Sequence, residues 1–237
     1  MAVFETPPPS IEPTPRRIRV RLGGTVVADS TRAQLLVQFG GLDGFPTYYI
    51  PLDDVRPGVL VDESDGRWSV AAGRRRAEAA AWTNDAFPEL KGHVSFSWKL
   101  LDWFEEDEQV FVHARSPYHR VDTLRASRRV EVFIGGERVA NSIRPVLLFE
   151  TSLPTRYYLP FADVRTDLLT ASDTISACPF KGSARYWSHP DVPDVAWSYP
   201  DPIPEIPKIR DLLCFYNERV DLVIDGVPQE RPSSPFS

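Results

Sequence analysis

The chain is poor in cysteine, histidine and methionine, with two, four and one in 237 residues. Two thiols, Cys178 and Cys214, cannot make a disulfide framework, and reduced thiols fit a cytoplasmic protein. Positive charge is also scarce. Lysine and arginine number 27 against 33 acids, for a net charge of −6. That balance argues against a nucleic-acid partner or an anionic membrane surface. No apolar run approaches the roughly 18 residues a spanning helix needs. The first 17 residues hold Pro7, Pro8, Pro9, Pro13 and Pro15 without an apolar core segment. They read as a flexible arm, neither signal peptide nor anchor.

What is present is globular: 42% hydrophobic and 25% charged residues, enough apolar material for a core. Twenty-three prolines and 13 glycines among many Val, Ile, Tyr, Phe and Trp favour short strands and turns over long helices. The strand Ile18–Leu22 alternates apolar and basic residues and ends at Gly23-Gly24, a hairpin pair. Val26–Ser30, Arg32, Leu35–Val37, Tyr48–Pro51 and Asp54–Arg56 follow. The order then returns: Val130–Ile134, Gly135-Gly136, Val139–Ser142, Arg144, Leu147–Phe149, Tyr157–Pro160 and Asp163–Arg165. Arg120–Asp122 is echoed by Arg219–Asp221. The chain is a duplication, which predicts two tandem all-β domains. The expected parts are an arm (1–17), a first repeat (18–126), a second repeat (127–228) and a flexible tail (229–237). Leu212–Tyr216 and Val220–Ile224 read as a hairpin, and the Ala-rich stretch 71–82 as a short helix.

The copies differ most around Cys178-Pro-Phe-Lys-Gly-Ser-Ala-Arg-Tyr-Trp187, answered by Trp197-Ser-Tyr-Pro-Asp-Pro202. Against the first of these the early copy offers only Ala72–Glu78. Alternation places Thr174, Ser176 and Cys178 on one face, and Val195, Trp197 and Tyr199 on another. Cys178, Tyr186 or Trp187, Trp197 and Tyr199 would then wall a pocket, joined by Arg144, Tyr157 and Tyr158. Flat rings there supply stacking surface, and Lys181 or Arg185 would hold a carboxylate or phosphate. The competing reading makes the same aromatics a small β core with Lys181 solvated at a turn. Nucleophilic use of Cys178 needs a lowered pKa or a nearby base; Lys181 and His189 are the neighbours in sequence. In the first repeat the acids Glu105, Glu106, Asp107 and Glu108 precede His113, Arg115, Tyr118 and Asp122. That set suits acid–base or hard-cation chemistry. It equally suits a solvated loop whose acids pair with Arg74, Arg75 and Arg76 or with the other copy.

The pattern Gly-Gly-x-x-Val-Ala-(Asp/Asn)-Ser, Tyr-Tyr-(Ile/Leu)-Pro and Asp-Val-Arg resembles the bacterial and fungal family called domain of unknown function 427. So does Cys178-Pro-Phe-Lys-Gly with Ala184, Tyr186, Trp187, Trp197 and Tyr199. The resemblance spans Ile18 to Gly226 and implies a fold similar to the β-tent group, with methionine sulfoxide reductase B and the thalidomide-binding domain of cereblon. That group often holds zinc through two Cys-x-x-Cys pairs; this chain has neither, so no metal ligands are implied. A nucleotidyltransferase-like label attaches to the family, but this sequence has no phosphate-cradling glycine loop or paired metal-binding aspartates. The combined reading is a small-molecule binding protein for a planar or anionic metabolite, its pocket in the second repeat. The alternatives are an enzyme acting through Cys178 or Lys181, or a protein-interaction module. Nothing in the chain calls for a cofactor, and oligomeric state stays open.

Overall fold

The computed structural model describes residues 8–38 and 45–237, with position 63 described by its backbone only. Residues 1–7 of the Pro-rich arm lie outside the described residues. The chain divides after Ser116 into two compact units. Regular structure among the described residues is entirely strand and single 3-10 turns.

The first unit contains β1 (Ser10–Pro13), β2 (Ile18–Leu22), β3 (Thr25–Ser30), β4 (Gln34–Val37), β5 (Thr47–Pro51) and β6 (Leu60–Ser64). β7 (Arg67–Ala72), β8 (Arg75–Trp82), β9 (His93–Phe96), β10 (Asp102–Glu105) and β11 (Glu108–Val110) complete it. The second contains β12 (Val121–Arg125), β13 (Val130–Ile134), β14 (Glu137–Ser142), β15 (Val146–Glu150), β16 (Arg156–Pro160) and β17 (Thr170–Cys178). It ends with β18 (Gly182–His189), β19 (Val192–Ser198), β20 (Leu212–Phe215), β21 (Asp221–Ile224) and β22 (Val227–Pro228). A seven-stranded sheet of order β1-β4-β5-β9-β8-β7-β6 in the first unit returns as β12-β15-β16-β20-β19-β18-β17. The four-stranded sheet β11-β10-β2-β3 returns as β22-β21-β13-β14. The duplication is therefore structural, strand for strand.

In each unit one face of the large sheet packs on the small one. Val130, Val132 and Ile134 of β13 and Leu222 of β21 join Leu159, Val195, Ala196, Leu213 and Phe215 in one buried cluster. The opposite face of the second unit holds Val146, Leu148, Tyr158, Trp197, Tyr199 and Cys214. Ile206 and Ile209 of the segment after β19 cover it. The Pro200–Pro207 run forms part of this cover, bridged to the sheet at Gly182–Pro202 and Tyr199–Arg210.

Arg144 belongs to a clasp made twice. Ser142 Oγ donates to Asp163 at 2.7 Å and Arg144 Nη2 reaches the same carboxylate at 2.8 Å. Ser30 and Arg32 hold Asp54 at 2.6 and 2.5 Å. Hydrogen bonds from the arginines, outweighing partial burial, hold both carboxyls below their ordinary value.

Several sequence expectations are corrected. The stretch 71–82 is not helical: it is the β7–β8 hairpin turning at Gly73, with Val70 paired to Ala77 and Trp68 to Ala81 across the bend at Ala79, and Val70, Ala77, Ala80 and Ala81 buried. The arm expected over 1–17 contains β1, whose Ile11 pairs with Leu36. The second unit begins before Ala126, since β12 pairs along β15 from Val121 to Arg125. Leu212–Tyr216 and Val220–Ile224 are not a hairpin: β20 lies in the large sheet and β21 in the small one. The Arg120/Arg219 echo joins non-equivalent strands, since β12 corresponds to β1 and β21 to β10.

Both units bend the same strand. Ala79 and Asp194 have φ of 46° and 48°, and each donates its N–H to a serine on the preceding strand, Ser69 or Ser188. An alanine in this left-handed region carries a cost that asparagine, aspartate and glycine largely escape. Ala79→Gly is expected to raise stability by about 0.5–1 kcal/mol, read from the urea midpoint, while Ala71→Gly in the regular strand lowers it.

Candidate functional site

The Cys178–Gly182 turn closes the β17–β18 hairpin. Register fixes its counterpart: Trp187 pairs with Ala196 as Trp68 pairs with Ala81. Ala72–Glu78, expected to align with the Cys178 element, is therefore the next hairpin along. The true counterpart is the Ser64–Arg67 turn, on strands of five and six residues against nine and eight. The second unit has grown a longer hairpin, and the Cys-Pro-Phe-Lys-Gly turn is its tip.

Backbone contacts pin that tip. Lys181 N–H donates to the Cys178 carbonyl at 3.2 Å, and Ile203 N–H donates to the Lys181 carbonyl at 3.2 Å. Gly182 has φ of 103°, and a Cβ there would sit 3.0 Å from the Asp201 carbonyl. Only glycine meets both conditions without strain.

So held, Lys181 Nζ reaches Glu150 Oε2 at 2.5 Å, with side chains 13% and 6% exposed. His119 Nε2 lies 3.0 Å from the other oxygen, Glu150 Oε1. The His119 ring packs 4.3 Å from Phe180, centroid to centroid. Burial would raise the Glu150 carboxyl, but His119 and Lys181 outweigh it and hold it below its ordinary value. Glu150 is thus an ionised, buried carboxylate holding a lysine and a histidine. A carboxylate only accepts, so Nε2 is the donor in the contact with Glu150.

Cys178 borders this group. Its thiol is pushed up by burial more than the Lys181 charge draws it down, which disfavours the thiolate needed for attack. Cys214 is fully buried and pushed up to about 12, and both cysteines are free. Tyr199 is held well above its ordinary value by burial and then by Cys178, Tyr186 and Glu150. Tyr186 OH lies 2.7 Å from Ser176 Oγ.

The structure brings together Cys178, Lys181, Tyr186 and Tyr199 on one face, with Trp197 and Tyr158 beneath them. Trp197 Nε1 donates to Tyr158 OH at 3.1 Å. Trp187 points the other way, packing on Phe161 and the inter-sheet core. Arg185 is exposed, and Arg144 is in its clasp. Tyr157 packs on the inter-sheet cluster. Tyr158, Trp187, Trp197 and Arg144 have counterparts Tyr49, Trp68, Trp82 and Arg32 at matching registers.

His189, the histidine nearest Cys178 in sequence, sits at the far end of β18 and accepts the Asp191 N–H. His119 and Glu150 were missed, although Glu150 is the lone charge closing the apolar run of β15. In the first unit Glu105 is buried, accepting from Tyr48 OH at 2.8 Å and pairing with Arg16 at 3.3 Å and Arg115 at 3.7 Å. Asp107 pairs with Arg19. The acidic run thus engages Arg16–Arg19 and not Arg74–Arg76; Arg76 pairs with Asp62 and Glu78. His113 holds the Ala114 carbonyl at 2.7 Å and stacks on Phe45. Among the described residues no cluster of three or more His, Cys, Asp or Glu is placed to hold a metal ion. Nor is any helix among those residues long and apolar enough to cross a membrane.

With two β units of one design and this unequal site, the chain falls among tandem-repeat all-β proteins. The model of the family described as domain of unknown function DUF427 matches residues 10–107 and 122–226, and the chain belongs to that family. Among curated proteins no relative matches the chain.

Two outcomes check this site. Iodoacetamide at neutral pH is expected to label Cys178 more slowly than free cysteine and Cys214 only on unfolding, read by mass spectrometry; rapid labelling of Cys178 contradicts the buried-thiol description. Glu150 has its folded value depressed. Its ion pair therefore stabilises the fold above the ordinary carboxylate value, and that stability is lost as pH falls through the folded one. A Glu150→Gln, Lys181→Gln double variant is expected to show a shallower loss of stability in acid than the native chain.

Proposed function

We propose that the second repeat binds a small planar or anionic metabolite over the His119–Glu150–Lys181 group, with Phe180, Cys178, Tyr186 and Tyr199 as walls. The supporting observation is the comparison within one chain. Burying charge costs several kcal/mol per ion before pairing returns it, so a buried pair is weak as a stabiliser. The first unit reaches the same fold with Gln38 following β4 where Glu150 ends β15 and with the shorter Ser64–Arg67 turn in place of the Lys181 tip. A charge cluster the fold does not need is a candidate for recognition. The scaffold groups, by contrast, are made twice.

An enzymatic reading has its own support in the His119–Glu150 contact. A carboxylate that fixes an imidazole through one nitrogen is an arrangement for proton transfer. In this reading Lys181 and Cys178 position the group, the buried thiol not being the nucleophile. Phosphoryl or nucleotidyl transfer gains no support from the described side chains.

Thermal unfolding against a metabolite panel tests both. A ligand at about 100 times its dissociation constant stabilises the fold by about 2.7 kcal/mol. The expected result is at least one planar or anionic compound whose shift disappears in the Glu150→Gln, Lys181→Gln variant. That variant removes both charges together, so neither is stranded in the core. A shift unchanged by the double replacement, or none across the panel, removes the proposal. Product formation followed by NMR, lost in His119→Ala while binding remains, separates enzyme from binder.

A further inference from the structure

Among the described residues the first unit carries an open groove of about 450 Å3 on the face of its large sheet turned away from the small one. Tyr49, Trp82, Asn84, Phe87, Trp98 and His113 line it, with Thr47 at its floor. The second unit shows what this place accommodates. There Arg156, at the register position of Thr47, sends its guanidinium to within 5.5 Å of the Trp197 ring and 5.8 Å of Tyr216. It is held by Glu218 at 2.7 and 2.8 Å, both side chains almost fully buried. Phe236 closes over it, 5.7 Å away.

The corresponding hydrogen bonds from Ser97 to Ala80 and from Tyr216 to Val195 set the remaining equivalences. Ser97 stands for Tyr216, and Lys99 for Glu218. The first unit therefore keeps the indole wall, Trp82 for Trp197, and replaces the flat cation, one ring and the carboxylate. Replacing Glu218 by a lysine removes the partner that a cation would need. The polar groups left include one unmatched donor, since Asn84 Oδ1 already accepts the Ala86 N–H. Asn84 Nδ2 donates to Tyr49 OH at 3.2 Å, and the Trp98 indole N–H is buried without a partner among the described residues.

We propose that this groove is a second ligand site, for a flat ring carrying a hydrogen-bond acceptor, of the aromatic carboxamide or carboxylate class. The ring takes the place that the Arg156 guanidinium fills in the other repeat, stacked on Trp82. The acceptor answers the Trp98 indole N–H. This site is independent of the His119–Glu150–Lys181 group.

Ligand-observed saturation-transfer NMR and tryptophan fluorescence on the full chain test it with three probes of one shape: benzamide, benzoate and benzamidine. Benzamide or benzoate is expected to bind at millimolar concentration, and benzamidine, a flat cation without an acceptor, at least roughly tenfold more weakly, a discrimination typical of a site with an unmatched donor. The double replacement Thr47→Arg, Lys99→Glu installs the second repeat's plug and is expected to abolish binding. Asn84→Leu is expected to weaken it if the plugged variant fails to fold. The Glu150→Gln, Lys181→Gln variant should bind as the native chain does. Binding of benzamidine as tight as benzamide, binding that survives both groove variants, binding lost with Glu150 and Lys181, or no binding of any probe overturns the inference.

Discussion

A sheet of seven strands has two faces to bury, and a small β unit has little chain with which to do it. In each repeat one face meets the four-stranded sheet, and that packing is mainly apolar, with Tyr48 OH on Glu105 as a polar contact in the first repeat. Among the described residues the other face is covered mainly by the crossover segment after β8 or β19, through Phe87 and Leu90 or Ile206 and Ile209. Whatever that segment leaves open must be filled by long side chains, by the chain's own ends or by something bound. The clasp of Ser, Arg and Asp, the shared bulge at Ala79 and Asp194, and the paired glycines after β2 and β13 all serve to fix the sheets. They recur because the packing problem recurs. Differences between the repeats gather on the second face, where the problem has more than one solution.

The second repeat solves it with charge. Arg156 and Glu218 fill one region, each satisfied by the other and by rings around the guanidinium. Glu150 fills another, and here the lengthened β17–β18 hairpin matters, because it delivers Lys181 to the second oxygen of a buried carboxylate whose first oxygen meets His119. Removing one partner of such a pair costs roughly 3–5 kcal/mol, far more than the pair itself contributes over an apolar pair of the same size. The Lys181 turn therefore has to be placed accurately. Gly182 against the Asp201 carbonyl and Ile203 against the Lys181 carbonyl supply that placement.

The duplication and the all-β class were legible because they rest on local patterns: paired glycines, alternating strands, repeated Tyr-Tyr and Asp-Val-Arg blocks. The Cys178–Lys181 turn was legible for the same reason, as a block with one copy. The helix expected over 71–82 failed because Gly73 turns the chain and the two arms pair as antiparallel strands, Val70 with Ala77 and Trp68 with Ala81, which overrides alanine's preference for helix. His119 and Glu150 were not legible because they come from different strand ends, 31 residues apart, and meet Lys181 only through the β12–β15 pairing. The misplacement of His189 has the same origin: closeness in sequence along β18 becomes distance along a strand of eight residues.

Trp187 shows how pattern and role separate. It lies one residue from Tyr186, so alternation sends the two to opposite faces. Tyr186 packs in the outer cluster with Tyr199 and Trp197, its hydroxyl on Ser176. Trp187 has a counterpart in Trp68, so it answers to the inter-sheet core that both repeats share. The same test sorts Tyr158 and Trp197, which are scaffold in origin yet form the floor on which the unshared groups stand. Where an inherited floor carries charge in one repeat and an open groove in the other, divergence has acted on what the floor holds and left the fold that builds it unchanged.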